Sequence, residues 1–381
     1  MSSHSDEPAQ VHRGLKGVYF ERSGVSSIDG RAGELRYRGY SIHDLAEQSS
    51  FEEICFLLLH GELPTESELD EFDCALKALR NIPDTVHDII RKTRHAHPMD
   101  VLRTAVSALG ALDEDASNIS RDVVLKKGLS LTSQVPVIVA AHHRLRNGVE
   151  PVSPSRDLGH AANFLYMLKG EAPSENAAAL MDTDMILHAE HGSNASSFTA
   201  RVVTGTGANV YAAVTAAIGA LSGPAHGGAA ENVMKMAQEI GDPANAADYV
   251  RARRKMREPI MGFGHRVYRA EDPRAKHLRA GVERLSKEMG EPRWYEILRA
   301  VEKAMARYSR HGVNVNVDFY AGVVYHLHEI PNDLFVPIFA IGRVPGWTAQ
   351  ILEQLRQNIL IRPLTLYNGP VARPYVPLAE R

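Results

Sequence analysis

Apolar positions fall at helical spacing over most of the chain. Leu69, Phe72, Leu76 and Leu79 recur at intervals of three and four, so they share one helix face, and Thr65 with Glu68 has the form of a capping box that starts such a helix. The same pattern, punctuated at Asn81-Ile82-Pro83, Gly170-Glu171-Ala172-Pro173, Gly241-Asp242-Pro243 and Ile330-Pro331-Asn332-Asp333, predicts further helices. They fall near 44–60, 100–110, 157–169, 174–191, 207–221, 226–240, 244–257, 273–290, 293–311, 317–328, 331–342 and 347–357. Only the start of the chain departs from this. Val18-Tyr19-Phe20, Ser26-Ser27-Ile28 and Leu35-Arg36-Tyr37 read as short strands, separated by the turn dipeptides Ser23-Gly24 and Asp29-Gly30. The expected fold class is all-α with a small N-terminal β appendage. No repeat, low-complexity tract or linker is evident, so a second domain has to come from an inserted segment.

Val202–Ala230 carries no Asp, Glu, Lys or Arg. Its Gly, Ala, Ser and Thr content and the break at Gly223-Pro224 argue against a membrane span and for a tightly packed buried helix. A length of 381 residues allows two or three domains, and 44% hydrophobic against 23% charged residues excludes a disordered chain. Forty-three Lys plus Arg against 46 Asp plus Glu leave a formal charge of −3, so no global basic field exists to hold nucleic acid or an anionic membrane. Anionic ligands must be met by local clusters. Cys55 and Cys74 are too few for a disulfide framework or a cysteine zinc site, which suits a reducing, cytoplasmic compartment. The polar, acidic stretch Met1–Arg13 reads as a loose cytoplasmic tail rather than a targeting signal.

Five segments carry candidate chemistry. In His188-Ala189-Glu190-His191-Gly192-Ser193-Asn194 the two histidines, three apart, admit a metal reading; without a third ligand or an HExxH pattern, structural histidines are the better expectation. Ser222-Gly223-Pro224-Ala225-His226-Gly227-Gly228 puts His226 in the expected first turn of a helix, where the dipole would favour a neutral, hydrogen-bond-donating ring; an incidental capping loop is an equal alternative. Met261-Gly262-Phe263-Gly264-His265-Arg266-Val267-Tyr268-Arg269, with Asp272-Pro273-Arg274, has the outline of an anion site, glycines exposing backbone and arginines offering planar donors. Upstream, Arg251, Arg253, Arg254, Lys255 and Arg257 form a basic run that is either a solvated face or a polyphosphate contact. Asp318, within Asn314-Val315-Asn316-Val317-Asp318-Phe319-Tyr320-Ala321-Gly322, interrupts an apolar stretch and must be paired, functional or a helix N-cap. Arg343 and Arg362 each sit in an apolar segment, Ile341-Gly342-Arg343-Val344-Pro345-Gly346-Trp347 and Leu360-Ile361-Arg362-Pro363, and need an anionic partner.

Taken together and in this order, these segments resemble the citrate synthase family, from about Gly14 to Pro370, in its short bacterial or archaeal type. Gly14-Leu15-Lys16-Gly17-Val18, Tyr37-Arg38-Gly39-Tyr40 and Phe56-Leu57-Leu58-Leu59-His60-Gly61-Glu62-Leu63-Pro64 resemble its N-terminal pattern. The resemblance implies a helical homodimer with a large domain of residues 1–221 and 330–381 and a small domain of 222–329. It implies condensation of acetyl-CoA with oxaloacetate and hydrolysis to citrate and CoA, with no metal and no cofactor beyond the CoA thioester substrate. Asp318 would be the base that removes a methyl proton, His226 the donor to the enolate oxygen, and His265 the acid at the oxaloacetate ketone. His191, Arg274 and Arg343 would bind oxaloacetate, with Arg362 reaching in from the partner subunit. Met261, Gly262, Phe263 and Gly264 would meet the CoA adenine, and Lys255 and Arg269 its phosphates.

Three positions depart from the family pattern: Ala321 stands where Ser is frequent, Gln350 where His is common and Glu190 where Asp is usual. They bear on the geometry around the site and on acyl-chain preference. The nearest alternative is 2-methylcitrate synthase, using propionyl-CoA, because one methylene is worth only about 1–3 kcal/mol of discrimination. A non-catalytic helical regulatory protein and a two-histidine metalloenzyme fit less well, since all three catalytic groups are present.

Overall fold

The computed structural model describes residues 10–381; the first part of the N-terminal tail, Met1–Ala9, lies outside the described residues. A three-stranded antiparallel sheet, β1 (Ser26–Asp29), β2 (Glu34–Tyr37) and β3 (Tyr40–Ser41), opens the fold in the order β1-β2-β3. The helices of the first half are α1 (Ile42–Gln48), α2 (Phe51–His60), α3 (Glu66–Ala78), α4 (Asp84–Lys92), α5 (Pro98–Leu112), α6 (Arg121–Arg146), α7 (His160–Lys169) and α8 (Glu175–His188). Those of the second are α9 (Ala195–Gly205), α10 (Val210–Leu221), α11 (Ala229–Ile240), α12 (Ala246–Lys255), α13 (Ala275–Glu288), α14 (Pro292–Met305), α15 (Asp318–Leu327) and α16 (Phe335–Arg356). The all-α expectation with a small β appendage holds. The Thr65–Glu68 capping box at the start of α3 is present in both directions.

α16 is the axis of the core, packed by α2, α6, α8, α9 and α10, with Trp347 fully buried on it. It also corrects the expectation of separate helices over 331–342 and 347–357. Pro345 lies inside one continuous helix, and Gly342 and Gly346 on it are close-packing positions. A Cβ on Gly346 would stand 2.0 Å from the Ala189 carbonyl oxygen, and one on Gly342 3.2 Å from that of Met185, so only glycine lets α16 lie this near the end of α8. α11, α13, α14 and α15 pack on one another, and α13 and α15 also reach α8.

Other boundaries moved for local reasons. The 44–60 segment is two helices, because Ser50 caps α2 by accepting from the Glu53 N–H. Val18-Tyr19-Phe20 is not a strand: Tyr19 is exposed, and Phe20 is anchored edge-on to Phe198 at 5.0 Å. The expected helices omit α4, α6 and α9. α6 contains Gly128 and Pro136 and is buried on most sides, so it lacks the one-sided stripe by which a surface helix is recognised. α6 is long and apolar enough to cross a membrane, yet 67% of its apolar window is buried in the fold, which makes it a core helix. The uncharged Val202–Ala230 stretch resolves into the end of α9, the buried α10 and the turn that holds His226, rather than one helix.

Candidate active site

The glycine-rich 261–269 segment is built as a seat for side chains. Gly262 and Gly264 take positive φ, 76° and 85°, and a Cβ on Gly262 would strike Phe319 at 2.6 Å. Their polar groups join the segment that carries Asp318: the Gly264 N–H donates to Asn314 O (2.8 Å), Asn316 N–H to Gly262 O (2.9 Å), and Asn316 Nδ2 to Gly264 O (2.9 Å). The β1–β2 turn clamps the other side. Arg269 N–H donates to Gly30 O at 2.7 Å, and Gly30 lies so close to the Val267 carbonyl that a Cβ would meet it at 2.3 Å.

This seat fixes one imidazole. His265 Nδ1 accepts the N–H groups of Val267 (3.0 Å) and Tyr268 (3.2 Å), so the ring proton is on Nε2. Burial, then the Arg274 charge, brings its pKa down to about 4, leaving a neutral ring with one donor. His191 lies beside it, ring centroids 5.3 Å apart, and its Nε2 is 3.1 Å from the Tyr268 hydroxyl. His191 is buried, and burial first, then the charges of Arg274 and Arg343, holds it far below the usual range.

His226 reaches the site from elsewhere. α11 begins at Ala229, so His226 lies in the preceding turn and not in a first helical turn; the dipole expectation is corrected. Its pKa is still brought down to about 4, by burial first and Arg343 second. Ser196 N–H donates to His226 Nε2 at 3.3 Å, the Ser196 hydroxyl is 2.9 Å from the same atom, and Trp347 Nε1–H donates to that hydroxyl at 3.0 Å. Nε2 is therefore an acceptor, and the proton of the neutral ring is on Nδ1.

Asp318 is the first residue of α15, with Val317 at the N-cap, and its side chain makes no capping bond; the N-cap alternative is not realised. Its N–H donates to Asn316 Oδ1 at 3.1 Å. Burial raises its pKa, and the Arg274 charge is among the neighbours that oppose this.

The two arginines differ. Arg274 makes a bidentate bond to Asp272, Nε to Oδ1 at 2.9 Å and Nη2 to Oδ2 at 2.7 Å, and Asp272 also accepts the Val317 N–H at 3.3 Å. Burial opposes charge on Arg274, but Asp272 more than restores it. Arg343 has no such carboxylate bond: Nε donates to the His188 carbonyl, Phe339 lies 4.8 Å from the guanidinium, and Nη1 is buried with no hydrogen-bond partner. Burial lowers its pKa to about 10, with Glu190 opposing. A buried guanidinium with a free donor is a strong seat for a carboxylate.

Electrostatically, His191 feels Arg274 and Arg343, His265 feels Arg274, His226 feels Arg343, and Asp318 feels Arg274, so the two arginines link the six groups. The structure does not bring in Arg362, which is exposed in the extended segment after α16. Lys255 is exposed at the end of α12, and in the basic run Arg253 pairs with Glu239 and Glu258 while Arg254 lies on Tyr308 at 4.9 Å. Arg269 is exposed, with its guanidinium on the His265 and Tyr268 carbonyls at 3.0 and 3.3 Å. The metal reading of His188 and His191 finds no support in their directions: His188 faces Asp184 and Phe339, His191 faces His265 and Tyr268.

Sequence reading missed Tyr268, Asp272 and Ser196. Tyr268 and Asp272 lie inside a recognised segment, but only the fold shows which arginine Asp272 pairs with. Two of the noted departures prove to touch each other: Gln350 Nε2 donates to Glu190 Oε1 at 2.9 Å, and Gln350 Oε1 accepts from Arg201 Nε at 2.6 Å.

Three imidazoles, a buried carboxylate and two buried guanidiniums on an all-α frame have the chemistry that proton transfer on a small polycarboxylate requires. Comparison with known proteins makes this specific. Residues 14–364 match the family model described as "Citrate synthase, C-terminal domain". "Citrate synthase 2" of Bacillus subtilis is 47% identical over 97% of this chain and 99% of its own, and "2-methylcitrate synthase" of Mycobacterium tuberculosis is 43% identical over 96% and 92%. The solved citrate synthase of Thermoplasma acidophilum, in a ternary complex with carboxymethyl coenzyme A and oxaloacetate, superposes with a TM-score of 0.92 at 33% identity, covering 98% of this chain and 100% of its own. The chain belongs to the citrate synthase family, enzymes of the acyltransferase type.

Proposed function

We propose that this enzyme condenses acetyl-CoA with oxaloacetate and hydrolyses the resulting citryl thioester to citrate and CoA, as at the entry of the tricarboxylic acid cycle. The observation that carries the reading is the complementary protonation of the two rings: His226 presents Nδ1–H and His265 presents Nε2–H, both neutral donors. Asp318 takes a proton from the thioester methyl while His226 donates to the oxygen on which enolate charge develops. The carbon so formed attacks the oxaloacetate ketone, and His265 protonates that oxygen from Nε2. Arg274, Arg343 and His191 orient the two carboxylates, Arg343 through its unused Nη1. Water then cleaves the C–S bond, CoA leaving as the thiol. No step calls for a metal or redox cofactor.

In this reading residues 222–329 form a small domain closing on 1–221 and 330–381, excluding water until the carbon bond has formed. The 261–264 backbone, with Lys255 and Arg269, meets CoA. The working unit is a cytoplasmic homodimer in which Arg362 completes the partner's oxaloacetate site. Supporting the dimer is the extended arm after α16, where Leu364, Tyr375 and Leu378 are 87%, 81% and 78% exposed. The test is oxaloacetate-dependent thiol release with acetyl-CoA and with propionyl-CoA, with and without chelator. No release with either thioester rejects the synthase reading, a higher kcat/KM for propionyl-CoA replaces citrate by 2-methylcitrate, and chelator inhibition restores the metal reading.

A further inference from the structure

His191 sits in the short segment between α8 and α9, and the N–H groups of the residues on either side of it are held by hydroxyls from the β sheet. The Glu190 N–H donates to the Tyr37 hydroxyl at 3.2 Å, and the Gly192 N–H to Ser26 Oγ at 3.1 Å. Each hydroxyl gives its own proton to the same stretch of chain. Tyr37 donates to the Ile186 carbonyl of α8 at 3.1 Å, and Ser26 to Glu190 Oε1 at 3.1 Å, an oxygen that Gln350 Nε2 holds from α16 at 2.9 Å. Ser26 and Tyr37 are direct partners in the antiparallel β1–β2 pair, so their side chains leave the same face of the sheet. Ile28, two residues on from Ser26, shares that face, and a Cβ on Gly192, whose φ is 56°, would stand 3.3 Å from Ile28 Cδ1. The segment is thus seated on the sheet and bonded to it on both sides of His191. The same strand leads to the second ring: Gly30, one residue past β1, accepts the Arg269 N–H beside the amides that fix His265.

We propose that Ser26 and Tyr37 are positioning residues for oxaloacetate: their paired hydroxyls lock the chain on both sides of His191 and so aim its ring at the substrate. Neither hydroxyl touches a reacting atom, and both act through His191. Tyr37 is fully buried, and burial pushes its pKa up to about 12, so the hydroxyl remains neutral and keeps its proton for Ile186 at neutral pH. Without either hydroxyl a flanking N–H loses its acceptor, and the segment shifts to find another. The ring moves with it, away from its contact with Tyr268 at 3.1 Å. A misplacement of about 1 Å in a substrate-holding group is enough to matter in a site of this kind.

The inference rests on His191 binding oxaloacetate, and the test separates the two. The Kd for oxaloacetate alone, without thioester, is measured by isothermal titration calorimetry. The proteins are the wild type, Ser26→Ala, Tyr37→Phe, His191→Ala, and each of the first two variants combined with His191→Ala. Ser26→Ala and Tyr37→Phe each raise Kd about tenfold. KM for oxaloacetate rises in parallel, while KM for the thioester stays within about twofold. In the His191→Ala background neither substitution adds more than about twofold, because the locked segment then has no ring to aim. Should Tyr37→Phe not fold, Ser26→Ala, at a half-buried strand position, carries the test. A change in Kd below about twofold in either folded single variant overturns the proposal. So does an effect as large with His191→Ala as without it, the mark of a merely structural role. Unaltered Kd in His191→Ala overturns the assignment of His191 itself, and a wild type that binds no oxaloacetate overturns the synthase reading, whatever the other variants do.

Discussion

Replacing Glu190 by Gln tests the electrostatics of the site through stability. Glu190 is fully buried; Oε1 accepts from Ser26 Oγ at 3.1 Å and Gln350 Nε2 at 2.9 Å, while Oε2 has no partner. Burial pushes its pKa up from 4.5 to about 7, with Arg343 opposing. Below about pH 4.5 the carboxyl is protonated in folded and unfolded chains alike, and above about pH 7 it is ionised in both. Between them the folded chain holds a proton that the unfolded chain has released, so this group's stabilisation is complete at low pH and is lost as pH rises through 7. A shift of about 2.5 units corresponds to roughly 3 kcal/mol at 1.36 kcal/mol per unit. Gln keeps the shape and an acceptor for Ser26 and Gln350 but cannot ionise, so the variant loses this dependence. The stability of Glu190→Gln relative to wild type should rise by about 2–3 kcal/mol from pH 5 to pH 8, a relative Tm change of roughly 3–4 °C for a chain of this length. Differential scanning calorimetry at fixed protein concentration reads it. Parallel Tm profiles across that range would refute the reasoning, since other groups titrate equally in both proteins.

Asp318→Asn should lower kcat for thioester-dependent CoA release by roughly a hundredfold or more, the usual worth of a general base; near-wild-type turnover rejects the assignment. Arg362→Ala should raise KM for oxaloacetate more than it lowers kcat, and mixed dimers with an Arg343→Ala chain should then regain one working site; absence of any such recovery rejects a contribution across the subunit boundary. Gly346→Ala places a methyl where the Ala189 carbonyl stands 2.0 Å from the ideal Cβ, so it should destabilise the fold by about 3 kcal/mol or more, read by denaturant unfolding. An unchanged midpoint would mean that α16 and α8 separate more easily than the packing implies.

The helical class was legible because a one-sided apolar stripe marks a helix that faces a core on one side. It failed for α6, whose residues 135–142 are all buried, so that no one-sided stripe marks that stretch. It failed again at Pro345, since proline breaks helices by local sterics while α16 is kept whole by packing along its length. Within the site, His265 and Arg274 were legible because a single short segment carries them both. Ser196 was not: its role depends on α9 bringing its N–H to a ring 30 residues further along the chain. The low pKa of His226 was anticipated for the wrong reason. The helix start is displaced by three residues, and burial beside Arg343 produces what the dipole was expected to.

Under the proposed function, the contrast between the two buried arginines would explain how a chain of near-neutral charge can hold a dianion. Arg274 is matched in advance by Asp272, so the pair is close to neutral and its remaining surface contributes direction more than charge. Arg343 is matched only in part, by Glu190, a carboxyl that burial itself drives toward the neutral form. In the proposed reaction, the oxaloacetate carboxylate would become the counter-ion that the fold supplies only weakly. Charge complementarity is then created by binding instead of being spent in the empty site. Any change that gives Arg343 a permanent internal partner, such as a carboxylate within reach of Nη1, should weaken oxaloacetate binding even while stabilising the unliganded protein.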